Sequence, residues 1–142
     1  MRILIDLDGV LADFVGEADR REINYDTAEL LKGFYRELPL IQDSKWAVNE
    51  LEKLGHELFI CTTAPWANPE AWKEKREWVE EHFTQSFHKR IIMTHHKNLV
   101  RADILIDDRE GPSTLNFQGE WIWFNRNGMD WKKVVEYIKT KS

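Results

Sequence analysis

Apolar positions fall into short continuous runs separated by longer stretches of helical period. Ile3-Leu4-Ile5, Leu58-Phe59-Ile60-Cys61 and Ile104-Leu105-Ile106 are bounded by polar or turn residues and read as buried strands. The pattern predicts strands at 2–7, 57–62, 90–93, 103–107 and 121–124. Helical spacing predicts a first helix over 12–22, with Phe14, Val15 and Ala18 on one stripe. A second covers 44–54, with Trp46, Ala47, Leu51 and Leu54 inward, capped by Ser44 or Asp43 and closed by Gly55. A third covers 69–83 through Trp72, Trp78, Val79 and Phe83, with Glu70, Lys73, Glu74, Lys75 and Glu77 read as its solvated face. A fourth closes the chain at 130–139. Residues 23–41 are less regular, and a short helix Ala28–Tyr35 is expected there, capped by Thr27 and ending near Pro39. Strands alternating with helices predict an α/β fold on a mainly parallel sheet with right-handed crossovers.

The length of 142 residues suits one compact domain spanning 1–142, and 42% hydrophobic residues suffice for its core. No internal repeat or low-complexity tract interrupts it. Trp72, Trp78, Trp121, Trp123 and Trp131 read as core or sheet-covering residues. The net charge of −5 argues against long nucleic acid, which calls for a basic face. It does not argue against a small anionic substrate, because a bound cation reverses the local sign. The one cysteine, Cys61, excludes an intramolecular disulfide and is expected to face the core, unreactive. An acid at position 6 comes too early for a signal peptide's apolar region, and no segment approaches membrane-spanning length. A cytoplasmic location without a membrane partner is therefore expected. The sequence is compatible with a homodimer.

Four strand ends carry polar groups. Strand one ends in Asp6 and Asp8, strand two in Thr62 and Thr63, and strand four in Asp107 and Asp108; Lys97 follows strand three. Acids at i and i+2 project to the same side of a strand, and the carboxyl edge of a parallel sheet is where ligands bind. This set suits phosphoryl transfer through an aspartyl-phosphate. One carboxylate attacks phosphorus, and a second two residues on protonates the leaving oxygen and later deprotonates water. Hydroxyls and backbone N–H groups hold phosphate oxygens, and a lysine offsets developing charge. Carboxylates from strands one and four hold Mg²⁺, which prefers oxygen ligands. Two such carboxylates at about 4 Å repel by roughly 4 kcal/mol at an effective dielectric of 20, so a cation is also a physical requirement.

The ordered set Asp6-x-Asp8-Gly9-Val10, Thr62, Lys97 and Asp107-Asp108 resembles the haloacid dehalogenase (HAD) superfamily of phosphatases. More narrowly, Asp6-Leu7-Asp8-Gly9-Val10-Leu11-Ala12-Asp13-Phe14, Phe59-Ile60-Cys61-Thr62-Thr63-Ala64-Pro65 and Ala102-Asp103-Ile104-Leu105-Ile106-Asp107-Asp108-Arg109 resemble the 5′(3′)-deoxyribonucleotidase family. The resemblance implies a Rossmann-like, three-layer HAD-like sheet with a small helical cap insert. It implies Asp6 as nucleophile and Asp8 as general acid/base. Asp6, the backbone carbonyl of Asp8 and the Asp108 carboxylate would hold Mg²⁺. Asp107 would support from behind, although the two adjacent acids could trade roles. Thr62, Thr63 and Lys97 would grip the phosphate, and Phe14 would line the pocket. The implied substrate is a small phosphate monoester, a nucleoside monophosphate.

One departure concerns the cap. Only about 50 residues separate Asp8 from Thr62, so the cap reduces to an insert near 16–40. Phe34 and Tyr35 either face a pocket or pack the insert, and Trp66 is an alternative stacking residue. His95 and His96 point to opposite sides of an extended segment and read as a loop that positions Lys97 rather than a metal pair. Arg109 either makes an ion pair or touches substrate. Two other functions remain open: a phosphatase for another small phosphate or a nucleic-acid 3′-phosphate end, and a non-catalytic phospho-acceptor. Asp8 discriminates against the last, because a stable acceptor needs no acid/base.

Overall fold

The computed structural model describes residues 1–141. Its five strands are β1 (Arg2–Ile5), β2 (Glu57–Thr62), β3 (Ile91–Met93), β4 (Ile104–Asp107) and β5 (Glu120–Trp123). All pair in parallel in the order β3-β2-β1-β4-β5. The helices are α1 (Phe14–Arg20), α2 (Tyr25–Ala28), α3 (Ser44–Lys53), α4 (Pro69–His82), α5 (Pro112–Leu115) and α6 (Trp131–Lys141). Three 3₁₀ turns occupy Tyr35–Glu37, Lys97–Leu99 and Arg126–Gly128. Among the described residues, no helix is long and apolar enough to cross a membrane.

Side chains alternate across the sheet with the period of two that strands impose. Ile3, Ile5, Leu58, Ile60, Ile104, Ile106 and Ile122 enter the main core with α3, α4 and α6. On the other face Leu4, Cys61 and Leu105 meet Phe117, with Phe59, Ile92 and Val100 partly covered. That layer is thin, because the β3–β4 and β4–β5 connections carry only a 3₁₀ turn and α5. Cys61 is buried, and burial pushes its thiol up to about 12, so it stays protonated and inert.

The register aligns Ile5 with Ile60 on one side and Ile106 on the other. The chain thus leaves β1, β2 and β4 at one edge, and Asp6 N–H still donates to Ile106 O at 2.9 Å. A tight loop follows, in which Leu11 N–H and Ala12 N–H both donate to Leu7 O and Gly9 N–H donates to Ala12 O. Gly9 adopts φ +81°, and a Cβ there would lie 2.0 Å from Asp108 Oδ2. Only glycine lets this loop approach the end of β4 so closely. The buried Trp131 indole N–H locks the loop to α6 through Val10 O at 2.7 Å.

Three expectations change. The short helix lies at Tyr25–Ala28, not Ala28–Tyr35, and its cap is Asn24, whose Oδ1 accepts from Asp26 N–H and Thr27 N–H, not Thr27. The following segment is held by outside bonds instead: Asn68 Nδ2 to Glu29 O, Gly33 N–H to Glu74 Oε2, and Trp78 Nε1 to Leu38 O. At α3, Asp43 occupies the cap position in the left-handed region without a side-chain bond, and the buried Ser44 hydroxyl has no partner. In α4, Glu74 and Lys75 are buried rather than solvated.

Candidate active site

The edge formed by β1, β2 and β4 opens into a cavity of about 730 Å³. Asp6, Asp8, Thr63, Lys97, Asp107 and Asp108 line its floor, and Phe14, Val15 and Tyr25 line one wall. Arg109 and the start of α5 line the other. Carboxylate oxygens of Asp6, Asp107 and Asp108 lie within 4.8 Å of one another.

Two buried lysines serve this floor. Lys97 sits in the 3₁₀ turn after β3 and reaches Asp6 Oδ1 at 2.8 Å and Asp107 Oδ2 at 2.7 Å. Burial pulls its pKa down, but the charges of Asp6 and Asp107 outweigh this and hold it above the ordinary lysine value. Lys75, only 1% exposed, projects from α4. It pairs with Asp8 Oδ2, donates to Thr62 Oγ1 at 3.2 Å, and lies 4.6 Å from the Tyr35 ring centroid. Sequence reasoning missed it. The available signal was its place at i+4 from Ala71 and i−3 from Trp78, on the buried stripe of the helix.

The acids differ in their surroundings. Burial raises Asp8 above the usual carboxylate range, and Lys75 opposes that rise. Asp8 Oδ1 is buried without a partner. Burial and then the Asp6 charge push Asp107 up to about 6 and Asp108 up to about 7. Both Asp107 oxygens are engaged, by Lys97 and by the Arg109 N–H at 3.1 Å. Asp108 lies against Gly9 and faces the cavity. Stacked Trp121 and Trp123, 4.6 Å between ring centroids, donate their indole N–H groups to Asp107 O at 3.0 Å and Asp108 O at 3.1 Å. The pair fixes the backbone that presents both acids.

The other singled-out residues take definite places. Thr62 is buried against Lys75, whereas Thr63 is exposed at the cavity and its hydroxyl donates to Thr94 O. Phe14 lines the cavity and meets Tyr25, Phe34 and Tyr35 at 6.2, 5.1 and 5.5 Å. Phe34 and Tyr35 are buried and pack behind it, so Tyr25 supplies the exposed ring. His95 and His96 are exposed in the loop leading to Lys97. Trp66 is 81% exposed, against Trp72 and His95.

Three hard oxygen donors, mutually repelling when ionised, fit a divalent cation of the Mg²⁺ type. The unpartnered Asp8 Oδ1 and two adjacent ammonium groups suit an anionic tetrahedral group beside it.

The profile of the family described as 5′ nucleotidase, deoxy (pyrimidine), cytosolic type C matches residues 21–131. A Vibrio phage KVP40 protein, provisionally named a 5′(3′)-deoxyribonucleotidase, is 35% identical over 99% of this chain and 85% of its own length. The human 5′(3′)-deoxyribonucleotidase, cytosolic type, is 30% identical over 78% of this chain and 71% of its own. The Bacillus subtilis 5′(3′)-deoxyribonucleotidase is 33% identical over 80% and 66%. The fold is similar to that of a Streptococcus pneumoniae hydrolase, with TM-score 0.60 at 11% identity over 97% of both chains.

Proposed function

The chain belongs to the 5′(3′)-deoxyribonucleotidase family, and on that premise we propose that it is a Mg²⁺-dependent phosphomonoesterase. It hydrolyses deoxyribonucleoside monophosphates through a phosphoryl group carried on Asp6. The observation that carries the mechanism is the different setting of two acids. Asp6 lies in the three-carboxylate cluster with its charge met by Lys97, whereas Asp8 stands outside the cluster, inclined by burial to keep a proton. Such a division supports Asp6 as nucleophile and Asp8 as acid.

The Asp6 carboxylate attacks phosphorus as the bond to the nucleoside oxygen breaks, and Asp8 gives that oxygen its proton. Asp8 Oδ2 is held by Lys75, leaving Oδ1 for this exchange. Asp8 then takes a proton from water as the water oxygen displaces Asp6 from phosphorus, releasing inorganic phosphate. Lys97 would hold phosphate oxygens, as would Thr63 once its hydroxyl turns from Thr94 O, and Lys75 would add its charge from behind Asp8. Asp6, the Asp8 carbonyl and Asp108 would hold Mg²⁺, with Asp107 behind, because Lys97 and the Arg109 N–H already occupy its oxygens. When bound, the ion offsets the charge of the phosphoryl group and of the acids. Residues 16–40 are read as a reduced cap, whose Tyr25 forms with the preceding Phe14 the wall that receives the base. The human relative is named as a cytosolic type, which supports a cytoplasmic location.

A phosphate-release screen tests this reading. Stacking on an aromatic face is worth about 1–3 kcal/mol, so kcat/KM for dUMP or dTMP is expected to exceed that for a hexose phosphate by about tenfold or more. Deoxy forms should also exceed UMP. Equal efficiency on the hexose phosphate would leave only the phosphatase class.

Mg²⁺ at 100 times its Kd should stabilise the protein by about 2.7 kcal/mol, or roughly 5–10 °C in Tm. Asp108→Asn should lose most of that shift. The pH dependence follows from the raised acids. With folded pKa values above unfolded ones, the folded state binds more protons between them, so metal-free stability falls as pH rises from the ordinary carboxylate range toward about 7. Chelated protein should therefore lose Tm across this window, more steeply than Asp108→Asn does. Parallel Tm–pH curves for the two proteins would contradict the assignment of Asp108.

A further inference from the structure

Outside the cavity lining, at the same sheet edge, three aromatic rings stand together. Trp66 follows β2, Trp72 opens α4 and His95 follows β3. Their centroids lie 6.4 Å (Trp66–Trp72), 6.1 Å (Trp66–His95) and 6.0 Å (Trp72–His95) apart. Trp66 meets its neighbours at 75° and 70°, edge against face, and at 81% exposure much of its ring surface is open to solvent. It is the most exposed large hydrophobic side chain among the described residues.

The support beneath the trio is fixed. Trp72 Nε1 donates to Pro65 O at 3.2 Å, and Thr63 Oγ1 donates to Thr94 O at 2.8 Å, tying the β2 and β3 loops together. Ser113, a cavity residue, donates its hydroxyl to His95 O at 3.3 Å. The trio therefore flanks the mouth of the cavity whose floor holds Asp6, yet it is separate from the Phe14–Tyr25 wall. The acids Asp26, Glu29 and Glu110 also line the cavity. The segments 63–68 and 94–98, which carry Trp66 and His95, contain no acid; the next one along the chain is Glu70.

We infer that Trp66, backed by Trp72 and His95, is a second base-stacking subsite, which takes the neighbouring nucleobase of a phosphate-terminated dinucleotide or short single strand. The inference rests on the phosphatase reading of the Asp6 site. The terminal nucleoside occupies the cavity with its phosphate at Asp6. The next nucleotide, with its phosphodiester charge, leaves over segments 63–68 and 94–98, which carry no acid of their own, and stacks on Trp66. Stacking is tolerant of base identity because every base offers a π face.

The experiment compares kcat/KM for thymidine dinucleotides bearing a terminal 5′- or 3′-phosphate with that for 5′- and 3′-dTMP. The two dinucleotides report which strand polarity uses the flank. In wild type, at least one dinucleotide is expected to exceed its mononucleotide by about fivefold or more. Trp66→Ala should bring this ratio to about one, and Trp66→Phe should retain most of it. A wild-type ratio near one for both polarities, or a ratio unchanged in Trp66→Ala, overturns the subsite. Calorimetric binding of the same four ligands to Asp6→Asn protein reads the ratio without turnover. If no mononucleotide is hydrolysed, the phosphatase reading fails, while the binding ratio still decides the subsite.

Discussion

Asp6→Asn protein is expected to fold and to release phosphate from no nucleotide, with kcat at least about 10⁴-fold down, the scale of losing a covalent nucleophile. The amide keeps an oxygen that accepts from Lys97, which holds Asp6 Oδ1 at 2.8 Å in the wild type. It lacks the carboxylate that attacks phosphorus. One like charge also leaves the cluster with Asp107 and Asp108, so the metal-free variant should melt no lower than wild type. Asp8→Asn should lose turnover in a different way. An aryl phosphate, whose leaving group needs no proton, should still phosphorylate Asp6 in that variant, but release should stall. Single-turnover assays with both variants check this. Near-wild-type turnover by folded Asp6→Asn would remove the mechanism.

Lys75→Met is expected to cost about 10²–10³ in kcat/KM, the range for removing one charged contact to a reacting oxyanion. It should also destabilise the fold by about 3–5 kcal/mol, because Asp8 would be left without its buried partner. The methionine fills the same channel over Tyr35, so packing alone does not predict such a loss. The double variant Lys75→Met, Asp8→Asn isolates the pair. It should recover much of the lost stability in urea while staying inactive, a coupling that double-mutant cycles measure. A Lys75→Met protein with wild-type kcat/KM and urea midpoint would show that the ammonium serves neither Asp8 nor the phosphate.

The sheet was legible because its central strands are nearly pure apolar runs with both faces covered. Ile3-Leu4-Ile5, Leu58 to Cys61 and Ile104 to Ile106 admit no helical reading of comparable strength. The site was legible for a related reason. Acids and hydroxyls directly after such runs land on one edge, and the parallel register places Asp6 between the ends of β2 and β4. Lys75 was not legible from composition. It lies among Glu and Lys residues, and only the spacing Ala71, Lys75, Trp78, Val79 places it on the inward stripe. Burial there is stable because Asp8 and Thr62, distant in sequence, meet its Nζ. The segment 23–41 was misread because Asn24 and Thr27 are both good helix caps, and local propensity does not choose between them. Tertiary bonds to Glu29, Gly33 and Leu38 hold the chain after Ala28, where a longer helix was expected. The role of Trp121 and Trp123 was half visible. Both sit half-buried on the edge strand β5, and their hydrogen bonds to the Asp107 and Asp108 carbonyls depend on β5 lying beside β4.

The central claim is that Asp6 carries the phosphoryl group. The most direct test mixes Asp8→Asn protein with Mg²⁺ and an aryl phosphate, quenches in acid and maps the adduct by mass spectrometry. The prediction is one phosphoryl group on Asp6 within the peptide Ile3–Arg20, absent from protein that also carries Asp6→Asn. Phosphate release by wild type in the same assay, with no adduct on Asp6 under any quench, would contradict it.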